Sequence, residues 1–217
     1  MAEPVGLPAD WLPRLRAALA SAPEHDPSTW RMSGRTLGSF GLDPAAWPAN
    51  PRPAAVLVPI VNRPGAPAVL FTTRSEHLRH HAGQISFPGG RVESSDADIV
   101  AAAVRETREE IGIAPEYIEP LGFLPDHVVP SGFRITPVVA LLQPDFTLRI
   151  DASEVVETFE IPLDYLSRTE HFLPTRRVVL GVEVTLHDVQ YEGRVVWGAT
   201  AGMLKMIHDL LAPPASP

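Results

Sequence analysis

No cysteine occurs among the 217 residues. Disulfides, thiolate chemistry and cysteine-ligated zinc are therefore excluded, and the absence fits a cytoplasmic protein. Cations are scarce as well: 18 Lys and Arg face 26 Asp and Glu, for a net charge of −8. A general nucleic-acid binder needs a basic surface that displaces counterions, so that class is set aside. A small anionic ligand, held by a few local cations or by a metal, stays open. Long apolar runs are also missing. The longest, AAVLVPIV (54–61), falls far short of a bilayer's thickness, and the opening MAEPVGLPADWLPRLRAALA lacks the basic region and long apolar core of a secretory leader. No membrane partner is expected.

Proline, by contrast, is abundant at 24 residues. It clusters at Pro44, Pro48, Pro51 and Pro53 and again at Pro213, Pro214 and Pro217, as in extended connections. Hydrophobic residues at 45% and charged residues at 20% describe an ordinary globular chain with a core of its own. The expected organisation is an N-terminal extension over 1–50, one domain over 51–212 and a tail over 213–217. The extension would cover the domain edge, mediate a homodimer or extend the substrate pocket.

Trp11, Leu12, Leu15, Ala18 and Leu19 recur at helical spacing, predicting a short amphipathic helix over 9–20. AAVLVPIV and AVLFTTR (68–74) flank the turn NRPGAP and read as a β-hairpin. Residues 75–95 hold no period and predict a long loop with short strand pieces, a length that is usually functional. A helix is expected from about Asp96 to Ile111, capped by Asp96 or Asp98 and stopped by Gly112. Further strands are expected over 134–142, 178–186 and 189–197, and a closing helix over 199–211. Strands mixed with two substantial helices give an α/β or α+β sandwich.

The second helix ends oddly. RETREEIGI (105–113) places Glu106, Glu109 and Glu110 at i,i+3 and i,i+4, on one face. They lie in the last turns, where the helix dipole disfavours anions by about 0.3–1 kcal/mol each. A solvated helix face is the bland explanation. A divalent cation is the sharper one, since clustered hard oxygens suit magnesium or manganese. Just upstream, SFPGGRVE supplies glycines that let the backbone approach a ligand closely.

In GGRVESSDADIVAAAVRETREEIGI (89–113) the chain resembles the Nudix box, G-x5-E-x7-R-E-U-x-E-E-x-G-U with U apolar. The second half matches, except that Thr107 takes the first apolar position. The first half is one residue longer, which leaves its early acidic position to Asp96 or Asp98. LFTTRSEHLRHHAGQISFPGG (70–90) is similar to the signature of the coenzyme A pyrophosphatase subgroup, through Leu70, Thr72, Arg74, Ser75, Arg79, Gly83, Phe87, Pro88, Gly89 and Gly90. SGFRITPVVALL and WGATAGML resemble the same subgroup, so the likeness covers about 54–212.

The resemblance implies a Nudix-like α/β/α sandwich with a mixed β-sheet. It also implies hydrolysis of a nucleoside diphosphate derivative with Mg2+ or Mn2+. The subgroup substrate would be coenzyme A or its thioesters, cleaved to 3′,5′-ADP and 4′-phosphopantetheine; ADP-ribose, NADH or a capped RNA end would be the substrate of another subgroup, and a catalytically silent sensor is the non-enzymatic alternative. By position, Glu106 and Glu110 are the implied metal ligands, with Glu109 a ligand or a positioning carboxylate. Arg105 would orient a glutamate, and the backbone of Gly89 and Gly90 would line the metal-binding loop.

Arg74 and Arg79, with His77, His80 and His81, form a cationic patch that either touches substrate phosphate or stabilises its own loop. The histidines are expected to shape the loop or face solvent. Glu154 and Glu157 are either a further carboxylate for the reaction or a solvated helix start. Phe133 and Trp197 either stack an adenine or pack in the core.

Overall fold

The computed structural model describes residues 6–21, 50–78 and 81–212. Much of the proline-rich connection before residue 50, together with Arg79, His80 and the tail 213–217, lies outside them. The first helix, α1 (Trp11–Ala20), buries Leu15 and Leu19 in the domain core, so it is packed into the domain rather than merely tethered to it.

The scaffold is set by two long apolar strands. β1 (Arg52–Val61) runs parallel to β7 (Phe133–Leu142) over its whole length, from Arg52 opposite Phe133 to Val61 opposite Leu142. Both are buried on two faces, as their near-continuous apolar sequences require. Val58, Ile60, Val139 and Leu141 point to one face, against α1 and the closing helix α4 (Gly198–Leu211). Ala55, Leu57, Val138 and Ala140 point to the other, against α2 (Ile99–Ile111). β5 (Ile118–Phe123) and β6 (His127–Val129) add antiparallel to β7. The result is a mixed sheet between helices, an α+β sandwich.

On its other side β1 has two different neighbours. At its far end it pairs with β2 (Ala68–Arg74), through Ile60–Val69 and Val61–Ala68. At its near end it pairs with β4 (Gly89–Arg91), through Ala54–Arg91, Ala55–Gly90 and Val56–Gly89. β2 diverges from β1 and takes β3 (Ile85–Ser86) as partner instead. The segment 85–91 thus wedges into a split sheet, which brings a glycine pair under α2.

Three expectations are corrected. The stretches 178–186 and 189–197 are not single strands. β9 (Phe172–Val179), β10 (Val182–Tyr191) and β11 (Arg194–Val196) form a three-stranded antiparallel sheet. Leu180–Gly181 (φ 49° and 80°) and Glu192–Gly193 (φ 47° and 78°) turn the chain between them. Two consecutive positive φ values are the mark of a type I′ hairpin turn, for which X-Gly is the sequence signal. The stretch beyond Glu154 is no helix start: β8 (Val155–Pro162) pairs antiparallel with β2 and leads into the one-turn helix α3 (Leu163–Leu166).

Candidate active site

α2 begins where Asp98 accepts a hydrogen bond from the Ala101 amide at 2.7 Å. It ends at Gly112, whose φ of 75° suits the left-handed stop. Between them, Ile99, Ala102, Ala103 and Ile111 bury the apolar stripe. That docking fixes the roll of the helix and turns Glu106 and Glu110 inward, toward the wedged glycines.

Gly90 leaves the room that Glu106 occupies. A Cβ at position 90 would stand 2.5–2.6 Å from all three atoms of the Glu106 carboxylate. Gly89 is tighter against the sheet: with φ 155°, a Cβ there would meet the Ala55 carbonyl oxygen at 2.3 Å. Its amide donates to Glu110 Oε2 at 3.3 Å. Both glycines are therefore needed for close approach, one to its sheet neighbour and one to a carboxylate.

Arg105 is the hub of the helix's polar face. Its Nε and Nη2 grip Asp96 in a fork at 2.8 and 3.0 Å. Nη2 also donates to the Arg91 carbonyl at 2.9 Å, and Nη1 to Glu106 Oε1 at 2.9 Å and Glu109 Oε2 at 3.0 Å. Asp96 and Asp98, indistinguishable by sequence, thus have separate duties: Asp96 anchors Arg105, and Asp98 caps the helix. The fork with Asp96 is the main reason the arginine's pKa is raised, and it holds the Asp96 carboxyl below the usual range.

Two carboxylates carry charge they can barely sustain. Glu110 is 2% exposed. Burial pushes its pKa up to about 8, against the opposing pull of Arg74 and the Gly89 amide, and Glu106 and Glu154 add repulsion. Glu106 is raised too, first by burial, with Arg105 pulling the other way. Buried anions without enough positive charge are what a cation site requires. Among the described residues, no three carboxylates or imidazoles already converge as a cage. Arg105 draws Glu106 and Glu109 along the helix, while Glu110 faces Arg74.

The remaining candidates separate clearly. Arg74 sits behind the site, with Nη1 3.6 Å from Glu110 Oε1 and a buried Nε that has no hydrogen-bond partner. Glu154 is half-buried, and its charge reaches Glu106 and Glu110. Its carbonyl accepts from the Ser75 amide, which ties its loop to the end of β2. Glu157 is placed elsewhere, in a two-point pair with Arg194 at 3.1 and 3.2 Å and a bond from Thr73. His77 lines a surface cleft of about 450 Å3 with Ser75, Ile150 and Val156, and His81 bonds Gln84 at 2.9 Å. Trp197 is part-exposed under the Arg177 guanidinium. Phe133 lies under two others, Arg52 and Arg91. Nothing in the sequence pairs these arginines with Phe133; the parallel register of β1 and β7 does.

Comparison with known proteins identifies the family. The NUDIX domain family model matches residues 51–180. A protein named Uncharacterized Nudix hydrolase NudL from Shigella flexneri serotype 5b (strain 8401) is 43% identical over 158 residues, covering 73% of this chain and 82% of that protein. One of the same name from Escherichia coli O157:H7 (strain EC4115 / EHEC) is 43% identical over 156 residues, 72% and 81% of the two chains. The crystal structure of RenU, a Nudix hydrolase from M. smegmatis, shares the fold with a TM-score of 0.50 at 19% identity, over 76% of this chain and 90% of that one. The chain belongs to the Nudix family, hydrolases of pyrophosphate bonds in small nucleotide substrates that generally use Mg2+ or Mn2+. The donor set fits such an ion: hard carboxylate oxygens on Glu106, Glu109 and Glu110 from one helix, with Glu106 against Gly90 and Glu110 at the Gly89 amide.

Proposed function

We propose that this protein hydrolyses the diphosphate bond of coenzyme A or its thioesters, releasing 3′,5′-ADP and 4′-phosphopantetheine or its acyl derivative. One observation carries the reading: the loop 70–90, whose residues resemble the coenzyme A subgroup, joins the catalytic carboxylates directly. Its Arg74 faces Glu110, and its Gly89 amide binds the same carboxylate. The loop's aromatic base is fixed by Phe87 stacked on Phe71, with centroids 5.2 Å apart.

Glu106, Glu109, Glu110 and the Gly90 backbone would hold Mg2+ or Mn2+. When bound, the ion neutralises charge on the diphosphate and lowers the pKa of a water that attacks phosphorus. Arg105 keeps Glu106 and Glu109 in place through charge-assisted bonds. Glu154 is the carboxylate outside the helix best placed to take a proton from the attacking water, because its charge reaches both inner glutamates. Glu157, already committed to Arg194, serves β8 instead. The substrate-binding part is the domain 51–212 with α1 docked on it.

The deciding experiment is a panel assay of purified protein with manganese against coenzyme A, ADP-ribose, NADH and dNTPs. Preferred cleavage of coenzyme A to 3′,5′-ADP is the expected result. Preference for ADP-ribose or NADH would move the protein to another Nudix subgroup, and no turnover on any of them would favour a sensor.

A further inference from the structure

Arg52 and Arg91 are exposed, and both cover one ring: their Cζ atoms lie 4.3 and 5.5 Å from the Phe133 centroid. Sheet register makes this necessary rather than accidental. Arg52 is the partner of Phe133 in the parallel pair, and Arg91 is the partner of Ala54, two residues further along β1. Positions two apart on a strand share a face, so all three side chains emerge on the same side of the sheet.

Neither arginine has a carboxylate partner among the described residues. That contrasts with Arg14, Arg16, Arg63, Arg105, Arg168 and Arg194, each of which is paired with an acid. In a chain with eight more acidic than basic residues, acids are not lacking; this pair is left without one. Two like charges over a single ring repel each other. Cation–π contact at an exposed site offsets only about 0.5–1 kcal/mol each. An anion between or beside the guanidinium forks removes the repulsion and uses their donors.

The location gives the anion's identity. Arg91 directly follows Gly90, against which the Glu106 carboxylate packs, and the Arg91 carbonyl is itself bonded to Arg105. By strand alternation the three side chains stand on the face of the sheet that carries α1 and α4, opposite α2. A ligand whose diphosphate meets the α2 glutamates at the Gly90 gap would meet the pair by passing its nucleoside end round β4 to that face. Arg74, the alternative reader in the loop, is turned to Glu110. We propose that Arg52, Phe133 and Arg91 form a clamp for a phosphate monoester on the nucleoside, the 3′-phosphate in coenzyme A. This rests on the hydrolase reading above and adds what recognises the part of the substrate that is not cleaved.

Binding of adenosine 3′,5′-bisphosphate and of 5′-AMP, measured by calorimetry in magnesium, tests the clamp without turnover. Wild-type protein should bind the bisphosphate about ten-fold tighter or more, as one charge-assisted contact implies. In R52A/R91A that ratio should fall close to one. R52K/R91K, which keeps charge but not the fork, should retain part of it, and a melting curve for each variant checks the fold. A ratio unchanged in R52A/R91A, or an equal loss for both nucleotides, overturns the clamp whatever the panel assay gives. If coenzyme A is not cleaved but the ratio still collapses in R52A/R91A, the clamp stands and the coenzyme A reading falls.

Discussion

Replacing Gly90 by alanine adds one methyl group at the point where the split sheet meets α2. That Cβ would lie 2.5–2.6 Å from the Glu106 carboxylate, well inside contact distance. The backbone at 90 is not the obstacle, since no positive φ occurs there. Something must move, and the choices are few. β4 is held to β1 on both sides of the position, through Ala54–Arg91 and Val56–Gly89. Glu106 is the end of a side chain, but it is 15% exposed and bonded to Arg105. Overpacking of this kind costs about 1–3 kcal/mol. The cheaper relief is for Glu106 to swing out. A displacement of about 1 Å in a positioned catalytic group is enough to lower turnover about a hundred-fold. Gly90→Ala should therefore lose about two orders of magnitude in kcat with manganese, yet melt only a few degrees lower. Glu106→Asp shortens the carboxylate arm by one methylene. Although harmful alone, it should be less harmful in the Gly90→Ala background, a coupling that a double-mutant cycle reads directly. Near wild-type turnover for Gly90→Ala, or strict additivity in the cycle, would refute the packing argument.

How much of this was legible in the sequence depended on whether a signal was local. α1, α2 and α4 follow from apolar spacing, and the ends of α2 from Asp98 and Gly112, because a helix satisfies its hydrogen bonds within itself. β1, β2 and β7 are apolar runs that could only be buried. β8 is hidden in the sequence because Glu154 and Glu157 look like a solvated helix start, and Glu160 continues the acidic run. On the strand Glu157 is matched by Arg194 and Glu160 by Arg63, which come from elsewhere in the chain. β5 was hidden because it contains Pro120 and Gly122, residues unwelcome in a regular strand; the pairing register shifts between them. In the second sheet the apolar runs continue across Leu180-Gly181 and Glu192-Gly193, so strand boundaries there depend on the turn dipeptides alone.

The same division runs through the site. Three glutamates on one helix face are visible in a linear spacing, and so is a glycine pair before them. Their partners are not. Arg74 reaches Glu110 only because β2 diverges from β1 and lies beside the wedge. Asp96 rather than Asp98 meets Arg105 because the loop before α2 folds back along the helix. The three carboxylates are therefore held by different means. Glu109 is 57% exposed in its side chain and leans on Arg105, Glu106 shares that arginine from a half-buried position, and Glu110 is buried with a single distant guanidinium. A pattern that looks uniform in sequence is graded in space, with the least-compensated charge deepest.

Glu110→Gln should reduce turnover by orders of magnitude without lowering the melting temperature in chelator, since burial already disfavours that side chain's charge; the stabilisation by added magnesium seen in wild type should shrink. Asp96→Asn and Asp98→Ala should separate anchor from cap: the first should cut kcat by about ten-fold through a loosened Arg105, the second should cost about 1 kcal/mol of stability in urea with kcat near wild type. The last prediction concerns His127, on the far side of β7 from the glutamates. Its Nδ1 donates to the Pro125 carbonyl at 3.2 Å, and its Nε2 lies over Gly202, where a Cβ would come within 3.2 Å. Burial lowers its pKa from 6.5 to about 4, with the Pro125 bond opposing weakly. The folded state thus refuses a proton that the unfolded chain accepts. Stability from this residue is complete above the unfolded value, 6.5, and is lost as pH falls toward 4. Between pH 7 and pH 5 the loss should be about 2 kcal/mol. Urea midpoints at the two pH values measure it, and His127→Leu should flatten the difference. A wild-type loss no greater than the variant's would mean that the protonated ring finds a hydrogen-bond acceptor or an anion in the folded protein.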